Sequence, residues 1–225
     1  MTTDHPTQDH YVPDPDADTA AVVDGVLAHL AAVTRERGLP DDLPAAVRER
    51  HGRLVVANRH LVVDEPARHN LRMTLVLVAA WELLRPHLGD DEALGVVRAA
   101  FVEPLAPVVR EAVRAALDAE PDPYRAMVAL ARDRETTSFG AGFTFRHPVD
   151  DDHRFHADVH RCFYYDVLVA NAAPELAPVL CEFDRNWIDA IDPDRHGFRF
   201  DRATTIGTGG AHCPFHFSRV TPDRA

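Results

Sequence analysis

The sequence contains no lysine: all 24 basic residues among its 225 amino acids are arginines. Schiff-base enzymes, pyridoxal-phosphate enzymes and P-loop nucleotidases each need a lysine ammonium group, so these three classes are excluded. Serine is almost absent as well. Ser138 and Ser218 are the only two, and neither lies in a Gly-x-Ser-x-Gly motif. Serine-hydrolase chemistry of the α/β-hydrolase type is therefore not expected.

The sequence also lacks long apolar runs and an excess of positive charge. Its longest apolar stretch, Met73 to Trp81, is about half as long as a membrane-spanning helix. The N-terminus has neither the basic nor the apolar segment of a secretory signal. We therefore expect a cytoplasmic protein without a membrane partner. The formal net charge is −12, which argues against a nucleic-acid partner because phosphates repel acidic proteins.

Cysteine is scarce, and its distribution indicates where chemistry could occur. The three cysteines, Cys162, Cys181 and Cys213, fall in the last third of the chain together with much of the histidine. An odd number of cysteines in a cytoplasmic protein argues against a disulfide framework. We therefore expect any catalytic or metal site in this last third.

Hydrophobic periodicity divides the chain into three parts: a flexible acidic arm (1–17), a helical region (18–136) and an α+β region carrying the site (137–225). The last two are expected to form one integrated domain. In the helical region, apolar residues recur at helical spacing and proline or glycine marks the ends. Helices are predicted at 19–37, 43–51, 66–88, 90–118 with a break near Glu103, and 123–134.

After Thr137 the apolar pattern changes to a period of two, which is typical of strands. Strands are predicted at 143–146, 155–160, 198–205 and 212–220, and helices at 162–172 and 174–191. The glycine-rich segment 207–210 is interpreted as a tight or bulged turn between the last two strands. The predicted fold class is α+β: a helical N-terminal half packed with a C-terminal antiparallel sheet of about four strands, with two helices on one face.

The motif HADVH is the first candidate for chemistry. His156, Asp158 and His160 share one face of a strand, and two imidazoles with a carboxylate could ligate Zn²⁺ or ferrous iron. With His212 and His216 from a later strand, four histidines are candidate ligands for a single divalent metal. The alternative is that these residues form the polar, solvated face of a half-buried strand.

The motif HCPFHF carries the second candidate. Cys213, Phe215 and Phe217 should point to one side of the strand, and His212 and His216 to the other. Cys213 is either a buried small hydrophobic residue or a functional thiol. The second role requires a neighbouring cation or helix start that lowers its pKa.

The motif CEFDRNW carries the third candidate. On a helix, Cys181 and Asp184 lie three residues apart on one face, and Trp187 flanks them. A carboxylate on a partly apolar face could be a general base with a raised pKa, or it could bind an amidine-like cation. The alternative is a structural role in which Asp184 pairs with an arginine.

A series of spaced residues in the last third resembles the pattern of a known family. They are Cys162, Ala173-Pro174-Glu175-Leu176, Cys181, Asp184, Phe200, Arg202, Thr205, Gly209-Gly210, Cys213 and Phe215. In this order they resemble the L-2-amino-thiazoline-4-carboxylic acid hydrolase-like family, over about Phe155 to Phe217. The named reaction of that family opens a thiazoline ring. Water adds to the amidine carbon, and carbon–sulfur cleavage leaves N-carbamoyl-cysteine.

The resemblance implies roles for these residues. Asp184 could hold the amidinium or act as a base. Cys213 or Cys181 could be the nucleophile, or both could join Cys162 around a metal that activates water. Thr205 and Trp187 are candidate substrate-binding residues.

Two further roles follow from the same resemblance. An arginine could clamp the substrate carboxylate, with Arg202 the first candidate and Arg185 or Arg199 the alternatives. A histidine could protonate the leaving sulfur, and the candidates are His156, His160, His212 and His216.

The leading functional hypothesis is a small-molecule hydrolase acting on a C–N or C–S bond of a cyclic amidine or related nitrogen heterocycle, in specialised metabolism. The alternatives are a metal- or heme-binding redox enzyme that uses a His/Cys cluster, and a non-catalytic ligand-binding relative. The expected partners are a small-molecule substrate and, in a homodimer, a second copy of the chain. We expect the helical half to form one wall of the pocket, because ligand sites favour junctions between substructures.

Overall fold

Residues 14–220 are described by a computed structural model, and their N-terminal half is helical because the expected caps are in place. Asp14 accepts hydrogen bonds from two backbone N–H groups of the first turn, and Gly38, at φ 64°, ends that helix. The helices of this half are α1 (Pro15–Arg37), α2 (Leu43–Ala57), α3 (Glu65–Leu88), α4 (Asp90–Val102), α5 (Ala106–Ala119) and α6 (Pro123–Arg134).

Most of these bounds follow the sequence prediction. α3 and α6 begin and end within one residue of it, and α2 continues six residues beyond His51 to Ala57. α1 begins at Pro15, so the last residues of the predicted flexible arm are helical, and residues 1–13 lie outside the described part of the chain. The expected break is present: α4 ends at Val102 and α5 starts at Ala106, because Pro104 and Pro107 cannot donate helical hydrogen bonds.

α3 is the central element of the helical half. It packs against α1, α2 and α4, and its apolar residues are buried on every side, as their continuous run predicts. Six of them are at most 1% exposed: Leu71, Leu75, Val76, Leu77, Val78 and Leu84. The N-cap of α3 is Asp64, whose carboxylate accepts from the backbone N–H of Ala67 at 2.8 Å.

α1 differs from the expectation that no apolar segment is long enough to cross a membrane. It meets that requirement by length and composition, with a mean hydropathy of 1.3 over 18 residues. Val26 and Leu30 of this helix are each 1% exposed, in packing with α3 and α4. Burial in the protein core therefore accounts for its apolar composition.

The C-terminal half contains the predicted antiparallel sheet. Its strands are β1 (Thr144–Asp150), β2 (Arg154–Arg161), β3 (Phe198–Asp201) and β4 (Cys213–Arg219), in the order β1-β2-β4-β3. The register pairs Val159 with Cys213 and His156 with His216. The fold class is therefore α+β, as the change of period indicated.

Between the strands, the helices are shorter than predicted. α7 spans Phe163–Ala170, and the expected helix 174–191 is divided into a 3-10 turn (Pro174–Leu176), α8 (Ala177–Phe183) and α9 (Arg185–Ile188); α10 (Pro193–His196) follows. The chain changes direction at Asp184. The connection between β3 and β4 is also not a tight glycine turn, because residues 202–212 form a long loop with a 3-10 turn at Ile206–Thr208.

The sheet has two faces of opposite character. Phe155, Ala157 and Val159 of β2 and Cys213 and Phe217 of β4 are buried, at most 7% exposed, on the face that packs against helices. Most of the alternating positions carry polar residues that are partly or fully exposed, such as His156, His160 and His216, whereas Pro214 is buried. The helices therefore cover one face of the sheet, as predicted.

Candidate active site

A cavity of about 150 Å³ lies between the covered face of the sheet and the helices. Ala157, Val159, Cys213, Phe215 and Phe217 form its sheet wall. The opposite wall comes from α5, α6 and the π-turn that follows α6 (Glu135–Phe139), through residues that include Val113, Met127, Leu130 and Phe139. The helical half thus contributes one wall of the cavity, as the sequence predicted.

Asp184 lies in this cavity at the junction of α8 and α9, and two side chains hold it there. Arg202 donates from Nη1 to Oδ2 at 2.5 Å, and Trp187 donates from Nε1 to Oδ1 at 3.2 Å. Arg202 also donates from Nη2 to the carbonyl of Cys181 at 2.8 Å. The structure therefore brings together three of the predicted site residues, and Asp184 is paired with an arginine, as the alternative, structural interpretation stated.

The surroundings of Asp184 change its acidity. Burial raises the pKa of this carboxyl above the ordinary aspartate value, while the positive charge of Arg202 and the hydrogen bond from Trp187 lower it by less. A carboxyl with a raised pKa exchanges its proton closer to neutral pH than a solvated one does, as a general acid or base requires.

The three cysteines line the same cavity, although they come from three elements. Cys162 precedes α7, Cys181 lies on α8 and Cys213 begins β4. The backbone N–H of Ile206 contacts Cys213 Sγ at 3.1 Å. Burial raises the pKa of Cys162 to about 12 and that of Cys213 to about 11, and it also raises the pKa of Cys181. All three are therefore neutral thiols at pH 7, and the pKa lowering that a nucleophilic Cys213 requires is absent.

Thr205 lies behind the cavity wall. It is 5% exposed, does not line the cavity, and forms a reciprocal cap with Thr208: each hydroxyl accepts from the other residue's backbone N–H, at 3.2 and 3.1 Å. Burial raises the pKa of the neighbouring Cys181, and a hydrogen bond involving Thr205 partly opposes this. Thr205 is thus placed to shape the loop rather than to contact a substrate.

Arg185 and Arg199, the two alternative candidates for binding the substrate carboxylate, lie outside the cavity. Arg185 is paired with Asp189 at 3.5 Å, and Arg199 with Asp201 at 2.9 Å, both with exposed guanidinium groups. Neither is a residue of the cavity lining. Of the three arginines that the resemblance suggested, only Arg202 reaches the site.

The four predicted histidine ligands lie on the opposite face of the sheet. His156 stacks on His216 with ring centroids 3.8 Å apart, and His160 stacks on His212 at 5.2 Å. Asp158 lies between the pairs. Its Oδ1 is 2.9 Å from His216 Nε2, and its Oδ2 is 3.8 Å from His212 Nε2. This outer face is the polar, partly exposed side of a half-buried strand.

This placement corrects the expectation of a shared His/Cys cluster. The sheet separates the imidazoles from the thiols: His156 and His216 stack on one face, whereas Cys213 of β4 lines the cavity on the other. These histidines cannot deliver a proton into the cavity or share an ion with the cysteines. A zinc or iron ion stays a prediction to be tested by elemental analysis.

The described part of the chain contains one group of three donor atoms within 4.8 Å of one another, and it lies elsewhere, at Asp16, Glu65 and His69. Arg68 pairs with both carboxylates there, and Arg72 pairs with Asp16. The negative charge that would attract a cation is therefore already compensated by the guanidinium groups.

Four polar residues that line the cavity, Arg134, Glu135, Tyr164 and Tyr165, were not identified from the sequence. Arg134 is the last residue of α6, and Glu135 follows it in the π-turn and lies 2.7 Å from His147 Nε2. The Tyr164 hydroxyl donates to Asn70 Oδ1 at 3.0 Å. The signal that could have identified Arg134 and Glu135 is the abrupt change from helical to strand periodicity after Thr137, because π-turns frequently occur at functional sites.

The fold and the cavity define an α+β protein with a small-molecule-sized site that contains a carboxyl of raised pKa. The chain matches the family model described as L-2-amino-thiazoline-4-carboxylic acid hydrolase over residues 69–217 and belongs to this family. The matched range contains Asp184, Arg202 and all three cysteines, and it confirms the resemblance seen in the sequence. No curated protein and no solved structure shows significant similarity to the chain.

Proposed function

We propose that the protein is a small-molecule hydrolase that opens a cyclic amidine or a related nitrogen heterocycle at a C–S or C–N bond. One observation carries the proposal: Asp184, a carboxyl with a raised pKa, faces a small, mainly apolar cavity inside the region that matches the hydrolase family. Membership in the family supports hydrolysis as the reaction class.

The cavity supports a single small ring as the substrate. Its volume of about 150 Å³ is below the roughly 300–1,000 Å³ typical of pockets for drug-sized ligands. Aromatic side chains from several elements line it, among them Phe143, Phe145, Trp187 and Phe215. Flat aromatic walls favour a planar ring, because stacking and edge contacts add to the burial of apolar area.

Asp184 is suited to bind the amidine group. Each carboxylate oxygen has two lone pairs, and Arg202 and Trp187 occupy one on each oxygen. One lone pair per oxygen therefore remains: one can accept an N–H of an amidinium, and the other can accept a proton of the attacking water. The protein donors fix the orientation of the carboxylate before the ligand arrives, which reduces the entropy cost of binding.

The same carboxylate serves as the base. Water adds to the carbon of the bound amidinium while Asp184 takes one of its protons, and the C=N electron pair moves to the ring nitrogen, which keeps the proton that it carries in the amidinium. The C–S bond of the tetrahedral intermediate then breaks. Sulfur receives the proton from Asp184, and the hydroxyl loses its proton to solvent water as the carbonyl forms. The sum is the addition of one water to the amidinium, which yields a carbamoyl group, a free thiol and one released proton.

The cysteines are not required as nucleophiles in this mechanism. With a pKa of about 11, only about one Cys213 in ten thousand would be a thiolate at pH 7. As neutral thiols they supply a compact, weakly hydrogen-bonding wall next to the leaving sulfur. A Cys213→Ala variant is therefore expected to keep most of the activity.

The test is turnover of a panel of cyclic amidines that includes L-2-amino-thiazoline-4-carboxylic acid, with the released thiol detected by a disulfide reagent and the product by mass spectrometry. Wild type should open at least one ring. Asp184→Asn should lose about 10²–10⁴-fold in kcat, whereas Asp189→Asn, a matched change on the same short helix outside the cavity, should not.

Two results would contradict the proposal. Full activity of Asp184→Asn would show that the base lies elsewhere. Saturable binding without any product, across the whole panel, would favour a ligand-binding relative that has lost the reaction.

A further inference from the structure

Arg134 differs from the other charged residues of the cavity. Asp184 is paired with Arg202, and Glu135 contacts His147 at 2.7 Å. Arg134 also lines the cavity, but within residues 14–220 no carboxylate lies in ion-pair distance of its guanidinium. Its guanidinium instead lies 5.7 Å from the centroid of the Phe139 ring. Within residues 14–220, Arg134 is therefore the charged residue of the cavity lining that has no polar partner.

The position of this charge is suited to a ligand. Arg134 ends α6 and is solvent-exposed, so it lies where the cavity meets solvent. Its charge lowers the pKa of both Asp184 and Tyr164, after larger contributions from burial and nearer groups. The guanidinium thus acts electrostatically on the reactive end of the cavity while remaining accessible to an incoming molecule.

The family resemblance suggested Arg202 as the residue that binds the substrate carboxylate, and the contacts of Arg202 argue against this role. Two of its nitrogens already donate, one to Asp184 and one to the carbonyl of Cys181. Its side chain is only 12% exposed. A ligand carboxylate at Arg202 would have to compete with Asp184 for the same cation, whereas at Arg134 it would find all five N–H donors without a carboxylate.

We propose that Arg134, rather than Arg202, binds the carboxylate of the ring substrate and thereby selects acidic rings over neutral ones. This inference rests on the proposed function, which places the amidine carbon at Asp184. A substrate with both groups would then be oriented at two points, its amidinium at Asp184 and its carboxylate at Arg134, with charge-assisted hydrogen bonds at each.

The experiment compares pairs of probes that differ only by the carboxylate: 2-amino-thiazoline-4-carboxylic acid with 2-amino-thiazoline, and thiazole-4-carboxylic acid with thiazole. Binding is measured by calorimetry for wild type, Arg134→Gln, Arg134→Lys and Arg114→Gln. Arg114 is an exposed arginine on α5, next to the lining residue Val113, and controls for a general loss of charge.

Wild type and Arg114→Gln should bind the acid of each pair roughly ten- to a hundredfold more tightly than the ring without it, as expected for hydrogen bonds to a charged group. In Arg134→Gln this ratio should fall to about one, while the affinity for the carboxylate-free ring stays unchanged. Arg134→Lys should keep part of the ratio, because it retains the charge without the bidentate geometry.

Equal affinities within both pairs for wild type, or an unchanged ratio in Arg134→Gln, would overturn the inference. If no member of either pair binds, both the inference and the proposed function are wrong. If the ratio depends on Arg134 but no ring is opened, the anion site stands and the proposed hydrolysis fails.

Discussion

Arg202 and Asp184 are each other's charged partner inside the cavity, 18 residues apart in sequence, with Arg202 Nη1 and Asp184 Oδ2 at 2.5 Å. Their side chains are 12% and 28% exposed. Taking either charge out of water is costly, so each depends on the other for compensation. The pair fixes the carboxylate that we assign to catalysis.

Removal of one partner should therefore be more harmful than removal of both. Arg202→Met should lower the free energy of unfolding by about 3–5 kcal/mol, because it leaves the carboxyl uncompensated. The double variant Asp184→Asn/Arg202→Met should be clearly less destabilised than the sum of the single changes, as measured by urea unfolding. Arg199→Met, at an exposed pair, is the control and should cost less than about 1 kcal/mol. Additive single effects would contradict the coupling.

The pH dependence of turnover should report Asp184. In the proposed mechanism the carboxylate form is the base, so kcat should fall as the pH drops through a pKa that burial holds above the ordinary value of 3.8. Arg134 lowers this pKa, and Arg134→Gln should therefore move the acidic limb to higher pH. If the acidic limb of the kcat profile does not move in Arg134→Gln, the charge of Arg134 does not influence the pKa of Asp184.

The raised pKa of Asp184 also affects how the stability of the protein depends on pH. Because the folded state holds this proton more tightly than the unfolded state does, protonation of Asp184 favours folding as the pH falls through the raised pKa. Acid unfolding of the protein should therefore originate at other carboxylates. Stability curves of wild type and Asp184→Asn should converge below this pKa and differ above it.

The thiols should be slow to react in the folded protein. Cys162 and Cys213 have pKa values raised to about 12 and about 11. At pH 8, iodoacetamide should therefore alkylate Cys213 about a hundredfold, and Cys162 about a thousandfold, more slowly than in guanidinium-unfolded protein. Site-resolved mass spectrometry measures each rate. Rapid alkylation of native Cys213 would instead support the nucleophile role that the family resemblance suggested.

The pKa of His156 should depend on its stacked neighbour, His216. Burial lowers the pKa of His156 below the usual histidine value, and the neighbouring His216 lowers it further. In His216→Gln the pKa of His156 should rise, although burial still holds it down. NMR titration of the imidazole Cε1–H signals measures this, and ring opening should be unaffected because the cavity lies on the other face of the sheet.

Gly207 should not tolerate a side chain. A Cβ there would lie 2.9 Å from Cys181 Sγ and 3.0 Å from the backbone of Ala177, so Gly207→Ala should cost about 1–3 kcal/mol by overpacking. Gly95→Ala is the matched control: nothing lies within 4 Å of its added Cβ in α4. It should stabilise the helix by up to about 1 kcal/mol. Thermal unfolding of the two variants should therefore shift in opposite directions.

The sequence predicted those elements whose limits are set locally. α3 and α6 were placed within a residue, because an apolar period bounded by proline, glycine or an acidic cap depends on neighbours in the chain. The predicted helix 174–191 was too long because its break at Asp184 accompanies contacts with Arg202, which lies on a different segment. No local pattern contains that information.

The candidate site was predicted in part for the same reason. Asp184, Trp187, Arg202 and the cysteines were identified through spaced motifs, and the structure places them around one cavity. Arg134 was not identified from the sequence because its proposed role depends on the absence of a charged partner in three dimensions. An arginine at the end of a helix is also explained by its favourable interaction with the helix dipole.

On the two central strands of the sheet, odd-numbered and even-numbered residues lie on opposite faces. In β2 and at the neighbouring positions of β4, even-numbered residues form the histidine surface and odd-numbered residues form the cavity wall, at 157, 159, 213, 215 and 217. Point substitutions can thus alter one face and leave the other unchanged. Insertion or deletion of one residue within either strand would exchange the two sets. It would turn imidazoles toward Trp187 and phenylalanines toward water, so family members should vary in these strands by substitution and not by length.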